Sequence, residues 1–469
     1  MSGLLARHDP AAIALIDADR AVQITYGQLR DRIEQSAPCL QRERARGLVF
    51  HLTANTIDSI ILYLACFESG CPVALLEPGL AGRFDPLVAA YRPDVVLLPE
   101  GIQQMPAGIS GSASRVADAY QVGVRTDDHD RPVLQPDLAL LLTTSGSTGS
   151  PKFVRLTRGN VLANARSIAA YLGIGPGERS MQTLPMHYSY GLSLVNSHLV
   201  SGATVVLTKH SFMRPEFWEA FDRSGCTSFA GVPYLYETLH RLRFDPARHP
   251  SLRTMTQAGG GLRPELIRSF HDQTRAAGCR FFVMYGQTEA AARISYVPCE
   301  RLGEKIGSIG IAIPGGRLSL SPLADSDQQE LVYCGPNVMM GYAESARDLA
   351  AGDRLQGTLR TGDLARVDDE GYYYLTGRLK RFAKLFGRRV NLADVEQELE
   401  ALFPVAAAAI DRDGALAVYV ASDEVVDLRA VEVYLARQLN VPPKFIRVSA
   451  VETMPLTASG KKDYEALPA

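Results

Sequence analysis

Long apolar runs are missing from this chain. The longest, Ile60–Phe67 (IILYLACF), falls far short of the roughly 20 residues a membrane-spanning helix needs. The first twelve residues, MSGLLARHDPAA, hold no apolar core of signal-peptide length. Paired cysteines are missing too. The seven cysteines stand at 39, 66, 71, 226, 279, 299 and 334, and none has C-x-x-C spacing, so no zinc cage or redox pair is written here. An odd, scattered set reads as free thiols in a reducing compartment, and the expected location is the cytoplasm. Nor is there an excess of charge: Lys plus Arg number 49 against 51 for Asp plus Glu, a net charge of -2. That balance leaves no electrostatic footprint for nucleic acid or an anionic membrane.

What is present is ordinary globular usage, 46% apolar and 21% charged over 469 residues. That length suits about three domain-sized units. TYGQLRDRIEQSAPCL has helical spacing, GLVFHL is a short apolar strand, and residues 58–69 are helical again. PVALLEP and PDVVLLP follow as strands bounded by Pro or Gly. Strands alternating with helices predict parallel βαβ units in a layered α/β domain. Residues 101–136, rich in Gly, Ser, Asp and Pro, read as a connection between subdomains. The α/β rhythm then resumes, with ATVVLT, TSFAGVP and RFFVMYG as its clearest strands. After about Lys305 the texture turns β-rich: GSIGIAIPG, RLSLSP, ELVYCG, GYYYLTGR. The basic segment LKRFAKLFGRRV reads as a joint. Beyond it NLADVEQELEAL predicts a helix, with a possible Asn cap and an apolar face of Leu392, Val395, Leu399 and Leu402. The predicted division is a large α/β domain with a β-rich subdomain over residues 1–378, and a small mobile α+β domain over 379–469.

The most informative stretch is DLALLLTTSGSTGSPK, residues 137–152. An apolar strand runs into a loop of Thr, Ser and Gly that closes on Lys152. Glycines let backbone approach a phosphate, hydroxyls and N–H groups donate to its oxygens, and lysine supplies charge. The residues after Gly146, STGSPK, do not fit a Walker loop. On composition alone such a stretch is a surface loop. The strand before it and the Pro-Lys after it point instead to nucleotide contact.

TSGSTGSPK resembles the phosphate-loop signature of the adenylate-forming superfamily: acyl-CoA synthetases, aryl-acid ligases, peptide-synthetase adenylation domains and luciferases. Further motifs follow in that family's order, so the resemblance spans about residues 20–465. It implies phosphate contacts for Thr144, Ser145, Gly146, Ser147, Thr148, Gly149 and Lys152. Ala258-Gly259-Gly260-Gly261 resembles the adenine-edge loop. MYGQTEA, residues 284–290, matches the Y-G-x-T-E core. In it Tyr285 would stack on adenine beside Gly286, Thr288 would touch the α-phosphate, and Glu289 would hold Mg²⁺. A hard cation wants carboxylate oxygen and a purine face wants an aromatic ring, so the chemistry agrees. TGDLARVDDEGYYYLTGR, residues 361–378, resembles the family's next signature, and the resemblance implies that Asp363 would accept both ribose hydroxyls and that Arg378 would contact the ribose and approach the phosphates. Lys380 falls at the family's hinge, Gly387 in the loop implicated in the second half-reaction, and Glu396 in the helix that follows. MPLTASGKKDY resembles the P-x-T-x-x-G-K motif, which makes Lys461, and not Lys462, the catalytic lysine.

TLPMHYSYGLSLVNSHL, residues 183–199, resembles the acyl-pocket segment. Aligned on Pro185 and Gly191-Leu192, Tyr188 falls at the aromatic gate and Ser189 beside it. Amino-acid-activating members carry an Asp there to pair with the substrate ammonium, so Ser189 favours an acid without one. His187 is either a polar handle or a packed histidine. Gly231-Val232-Pro233-Tyr234 would line the far wall with Gly260, and the tyrosines suit an aryl ring or a short acyl chain. The implied activity is ATP- and Mg²⁺-dependent adenylation of a carboxylic acid, then transfer to a thiol. The chain is short for such an enzyme and no carrier domain follows Lys461. The favoured acceptor is therefore the phosphopantetheine of a separate acyl carrier protein, with free CoA as the alternative. A stand-alone amino-acid-activating enzyme, a luciferase-like oxygenase and a degenerate adenylate-binding protein are the other readings. The intact Lys152, Glu289, Asp363, Arg378 and Lys461 weigh against the last.

Overall fold

The computed structural model describes the chain except residues 1–2, 6–7, 41–45, 80–83, 103–104, 117–118, 127–130, 144–151, 324–326, 380–381, 386–387, 413, 423, 440, 458–461 and 469. The chain divides into two compact units: Met1–Ile306, Gly310–Arg317 and Tyr333–Leu359 form the first, and Gly307–Ile309, Leu318–Val332 and Arg360–Ala469 the second.

The first unit is a layered α/β structure, as the rhythm of the sequence predicts. One sheet has eight strands, ordered Gly341–Ala343, Phe153–Thr157, Leu138–Thr143, Val73–Leu76, Val49–Leu52, Val95–Pro99, Tyr120–Arg125, Ile109–Val116. VFHL and VALL are buried at every position, which is what a parallel strand covered on both faces requires. A nine-stranded sheet carries Arg179–Met181, Ser228–Gly231, Thr254–Gln257 and Arg280–Tyr285 in parallel at its centre. Helices start where side chains take over unsatisfied backbone groups. Thr25 and Gln28 form a capping box at the start of Tyr26–Ser36, and Thr157 and Asn160 do so for Arg158–Leu172. Thr56 caps Ile57–Ser69, which stops at Gly70 in the left-handed conformation (φ 75°). That helix is apolar nearly all round and lies in the largest core.

Two segments differ from their sequence reading. Within residues 101–136, the strands Ile109–Val116 and Tyr120–Arg125 form an antiparallel hairpin that extends the eight-stranded sheet through Val95–Pro99. Its first strand, ISGSASRV, has few large apolar side chains, so an edge strand is hidden among turn-forming residues. The basic joint LKRFAKLFGRRV contains a two-stranded ribbon, Phe382–Leu385 with Arg388–Asn391.

The second unit is built largely on the four-stranded sheet Arg317–Pro322, Gln329–Cys334, Thr358–Val367, Tyr373–Arg378 and a three-stranded sheet, Ala406–Arg412, Ala415–Ala421, Ile446–Ala450. Helices Leu392–Leu402 and Leu428–Leu439 supply Val395, Leu399, Val431 and Leu435 to its core. Leu392, Val395 and Leu399 are buried as the helical spacing predicts, but Leu402, in the last turn, is 56% exposed. Among the described residues no helix is long and apolar enough to cross a membrane.

Candidate active site

Strand Leu138–Thr143 delivers the chain to the Ser/Gly/Thr loop, and strand Phe153–Thr157 receives it. Thr144, Ser145, Gly146, Ser147, Thr148 and Gly149 lie outside the described residues. Lys152 is described, and its Nζ stands 3.5 Å above the ring of Tyr342. The Tyr342 hydroxyl donates to Glu289 Oε1 at 2.7 Å. Burial, then the neighbouring Glu289 carboxylate, pushes the Tyr342 phenol well up, which keeps it a donor. One tyrosine thus joins the loop lysine to the carboxylate of the Y-G-x-T-E core. Arg155, fully buried, fixes this arrangement: its guanidinium donates to the carbonyls of Met340, Tyr342, Ala351 and Gly352.

The core motif begins at the end of strand Arg280–Tyr285 and turns through a short 3-10 segment, Thr288–Ala290. Gly286 is required there, because a Cβ would sit 1.8 Å from the Ala292 carbonyl oxygen. Tyr285 is buried, and its hydroxyl accepts from Gln287 Nε2 at 3.1 Å. The backbone carbonyl of Glu289 accepts from Met339 N at 2.8 Å, and Asn337 Nδ2 donates to the carbonyls of Ala290 and Arg293. Thr288 and Glu289 are therefore held by a backbone tied on both sides.

The acyl-pocket segment meets this motif. Ser189 Oγ lies 3.2 Å from Thr288 Oγ1. Tyr188 precedes helix Ser189–Val200, and its hydroxyl packs on Gly259 (φ 89°), where an added Cβ would stand 2.5 Å away. Burial pushes the Tyr188 phenol up to about 12 despite the nearby Arg293 cation. Gly260 lies against Pro233, with 3.1 Å from its would-be Cβ to Pro233 Cγ, and Gly231 against Tyr236 and Leu235. His187 shares a 3.0 Å hydrogen bond with Thr53 Oγ1, and burial lowers its pKa to about 4, so the ring is neutral. Tyr234 is half-buried in the first turn of helix Pro233–Arg241, with no hydrogen bond to the other pocket residues among those described.

In the second unit Asp363 and Arg378 face each other across the antiparallel pair Thr358–Val367 and Tyr373–Arg378. Arg378 Nε lies 2.6 Å from Asp363 Oδ1, with the carboxylate side chain 1% and the guanidinium side chain 56% exposed. Lys380, Gly387 and Lys461 lie outside the described residues. Lys462 is described and engaged: its Nζ contacts Glu396 Oε2 at 3.3 Å, Glu400 Oε1 at 2.8 Å and the Ala407 carbonyl. Burial lowers its pKa, but the carboxylates of Glu396 and Glu400 more than offset this, so the net shift is upward. Glu396 also accepts from Ala409 N and from the Tyr464 hydroxyl.

The sequence reading missed Tyr342, Arg155 and Arg293. Each is a lone residue whose partners are remote in the chain, and no spacing marks it. For Mg²⁺, Glu289 offers a carboxylate whose Oε1 accepts from the Tyr342 hydroxyl. Among the described residues there is no cluster of three or more His, Cys, Asp or Glu. A single carboxylate suits a cation that keeps most of its shell as phosphate and water.

A family model described as AMP-binding enzyme matches residues 5–343. A feruloyl-CoA synthase from Amycolatopsis sp is 30% identical over 417 residues, which is 84% of this chain and 81% of the relative. A 2-succinylbenzoate–CoA ligase from Bacillus pumilus is 28% identical over 83% of this chain and 80% of its own length. Among solved structures, ATP-bound MatB from Rhodopseudomonas palustris superposes with a TM-score of 0.79 at 22% identity, covering 98% of this chain and 96% of that one. The fold read from the motifs is thereby borne out.

Proposed function

Because the chain belongs to the AMP-binding enzyme family of adenylate-forming, acyl-CoA synthetase-like proteins, we propose that it is an ATP-dependent acid–thiol ligase with its acyl site beside Ser189 and Thr288. The observation that carries this reading is the hydrogen bond between those two hydroxyls, which joins the acyl-pocket segment to the nucleotide motif. The acid's carboxylate oxygen attacks the α-phosphorus of ATP, the bond to the β-phosphate bridge breaks, and pyrophosphate leaves. An acyl adenylate remains. A thiol then attacks its carbonyl and AMP departs with the C–O bonding pair, leaving a thioester.

The barrier to the first step is repulsion between two anions, so alignment and positive charge matter more than proton transfer. Lys152 and Lys461 are the cations assigned to the phosphates and to the meeting point of carboxylate and α-phosphate. Thr288 donates to the α-phosphate, and Tyr342 holds Lys152 and Glu289 in mutual register. Glu289 is the residue assigned to hold Mg²⁺, which when bound supplies charge neutralisation along the phosphates. Asp363, paired with Arg378, is assigned to the ribose. Residues 379–469 are assigned as the lid that brings Lys461 in for adenylation and withdraws it for thiol entry, a gating motion.

Ser189 offers a neutral hydroxyl where an α-ammonium needs a carboxylate, which supports an acid without an α-amino group. The acceptor is a phosphopantetheine thiol. The names of the relatives support CoA, and a separate carrier protein is the other acceptor to be tested. ATP–pyrophosphate exchange across aryl, short-chain, long-chain and amino acids tests the first half-reaction. Thioester formation with CoA and with a phosphopantetheinylated carrier protein then separates the acceptors. Exchange with α-amino acids alone would overturn the substrate reading.

A further inference from the structure

Arg293 is 2% exposed, and no ion pair to a carboxylate is found for it among the described residues. Its guanidinium lies 3.9 Å from the centroid of the Tyr190 ring. One nitrogen donates to the Ala292 carbonyl at 3.3 Å, while Nε is buried with no hydrogen-bond partner. The Tyr190 hydroxyl engages Thr256, and the neutral phenols of Tyr190 and Tyr171 are the guanidinium's other hydrogen-bond neighbours. A buried guanidinium has five N–H donors and a permanent charge, and an aromatic face offsets only part of the loss of water. This cation therefore lacks an anion.

Its position says where the anion belongs. Arg293 follows directly on the Y-G-x-T-E turn, and its Cα is 2.9 Å from where a Cβ on Gly286 would lie. The ring it covers, Tyr190, stands edge-on to Tyr188 with centroids 6.3 Å apart, and the Arg293 charge lowers the pKa of both phenols against the effect of burial. Arg293 thus sits in the wall shared by the nucleotide motif and the acyl pocket, on the side of Tyr188 and Tyr190. The acid's reacting carboxylate must lie at the α-phosphate, beside Thr288. An anion paired with Arg293 is then a second group on the same molecule.

We propose that Arg293 is the specificity-determining counter-charge for a second carboxylate, so that the acid activated by this enzyme is a dicarboxylate. This rests on the ligase reading above. A guanidinium forms two parallel N–H···O bonds to a carboxylate, and an acid without that group leaves the cation unpaired.

The test is ATP–pyrophosphate exchange with shape-matched pairs: succinate against butyrate, glutarate against pentanoate, terephthalate against p-toluate, and sulfoacetate against propionate as a sulfonate arm. The expected result is a kcat/KM at least 100-fold higher for the dianion in one or more of the carboxylate pairs. Arg293→Met is expected to raise KM for that diacid at least 50-fold, with KM for ATP unchanged and the matched monoacid gaining ground. Arg293→Lys is expected to keep part of the preference, which covers the case in which Arg293→Met fails to fold. Wild-type exchange with monoacids as good as with diacids overturns the inference and leaves the ligase reading standing. So does an equal loss for both acids in the variants, which marks Arg293 as a packing residue only. A preference confined to sulfoacetate overturns the dicarboxylate assignment. Silence with every acid overturns the ligase reading and this inference with it.

Discussion

Ser189 and Thr288 share a hydrogen bond, their hydroxyl oxygens 3.2 Å apart across 99 residues of sequence. On the proposed assignment the first residue belongs to the acyl-pocket segment and the second to the nucleotide motif, which would make the pair the meeting point of acid and ATP. Ser189→Ala removes one neutral hydrogen bond worth about 1 kcal/mol, and exchange activity should fall about fivefold. Ser189→Asp sets a carboxylate beside the expected α-phosphate, and repulsion should cost at least about tenfold. Steady-state exchange with the best acid checks both, and an aspartate variant as active as the alanine one would break the assignment.

Tyr342 separates two effects. Tyr342→Phe keeps the ring under Lys152 but removes the donor to Glu289, and the expected change is a higher Mg²⁺ requirement. Tyr342→Leu removes the cation–π contact as well, worth about 0.5–2 kcal/mol, and should also raise KM for ATP several-fold. Mg²⁺ and ATP titrations of exchange distinguish the two. Identical profiles for Phe and Leu would show that the ring face does nothing.

The adjacent lysines near the C-terminus should behave differently. Lys461→Ala is expected to abolish adenylate formation while sparing thioester formation from preformed adenylate. Lys462→Ala leaves Glu396 and Glu400 without their shared cation. It should lower stability by about 2 kcal/mol, less than a fully buried pair would cost because the lysine is part-exposed. Both half-reactions should then decline together at high temperature. Single-turnover assays with a thermal melt check the pair, and the reverse pattern would move the catalytic role to Lys462.

Acid should unfold the first unit through its histidines. Burial lowers the pKa of His51 to about 3 and those of His187 and His198 to about 4, from an ordinary 6.5. The unfolded chain therefore binds protons that the folded chain refuses. The stability is fully present above pH 6.5 and is lost as pH falls from there toward 4 and below. For His198 the shift corresponds to about 3 kcal/mol. Urea midpoints measured from pH 7 to pH 4.5 should fall, and the slope should lessen in His198→Gln. A flat profile would show that these rings are hydrated.

What was legible in the sequence followed local rules. The helix Ile57–Ser69 and the strands VFHL and VALL are runs whose hydrophobicity alone fixes their burial, and the Y-G-x-T-E turn demands Gly286 for a steric reason visible in the backbone. The hairpin strand Ile109–Val116 was illegible because its pairing with Tyr120–Arg125 supplies the order that its small side chains do not. Tyr342 and Arg293 were illegible for another reason. A tyrosine whose partners are Lys152 and Glu289, and an arginine whose neighbour is Tyr190, acquire meaning only from tertiary proximity.

The Arg155 clamp bears on how the enzyme meets a changing ionic environment. Its guanidinium is held by four carbonyls, none of which titrates or exchanges a counter-ion. The strand beneath Tyr342 is thereby insulated from added salt. The Asp363–Arg378 pair, whose arginine is largely in water, lies open to Debye screening. Added salt should therefore loosen the Asp363–Arg378 pair before it disturbs the strand beneath Tyr342.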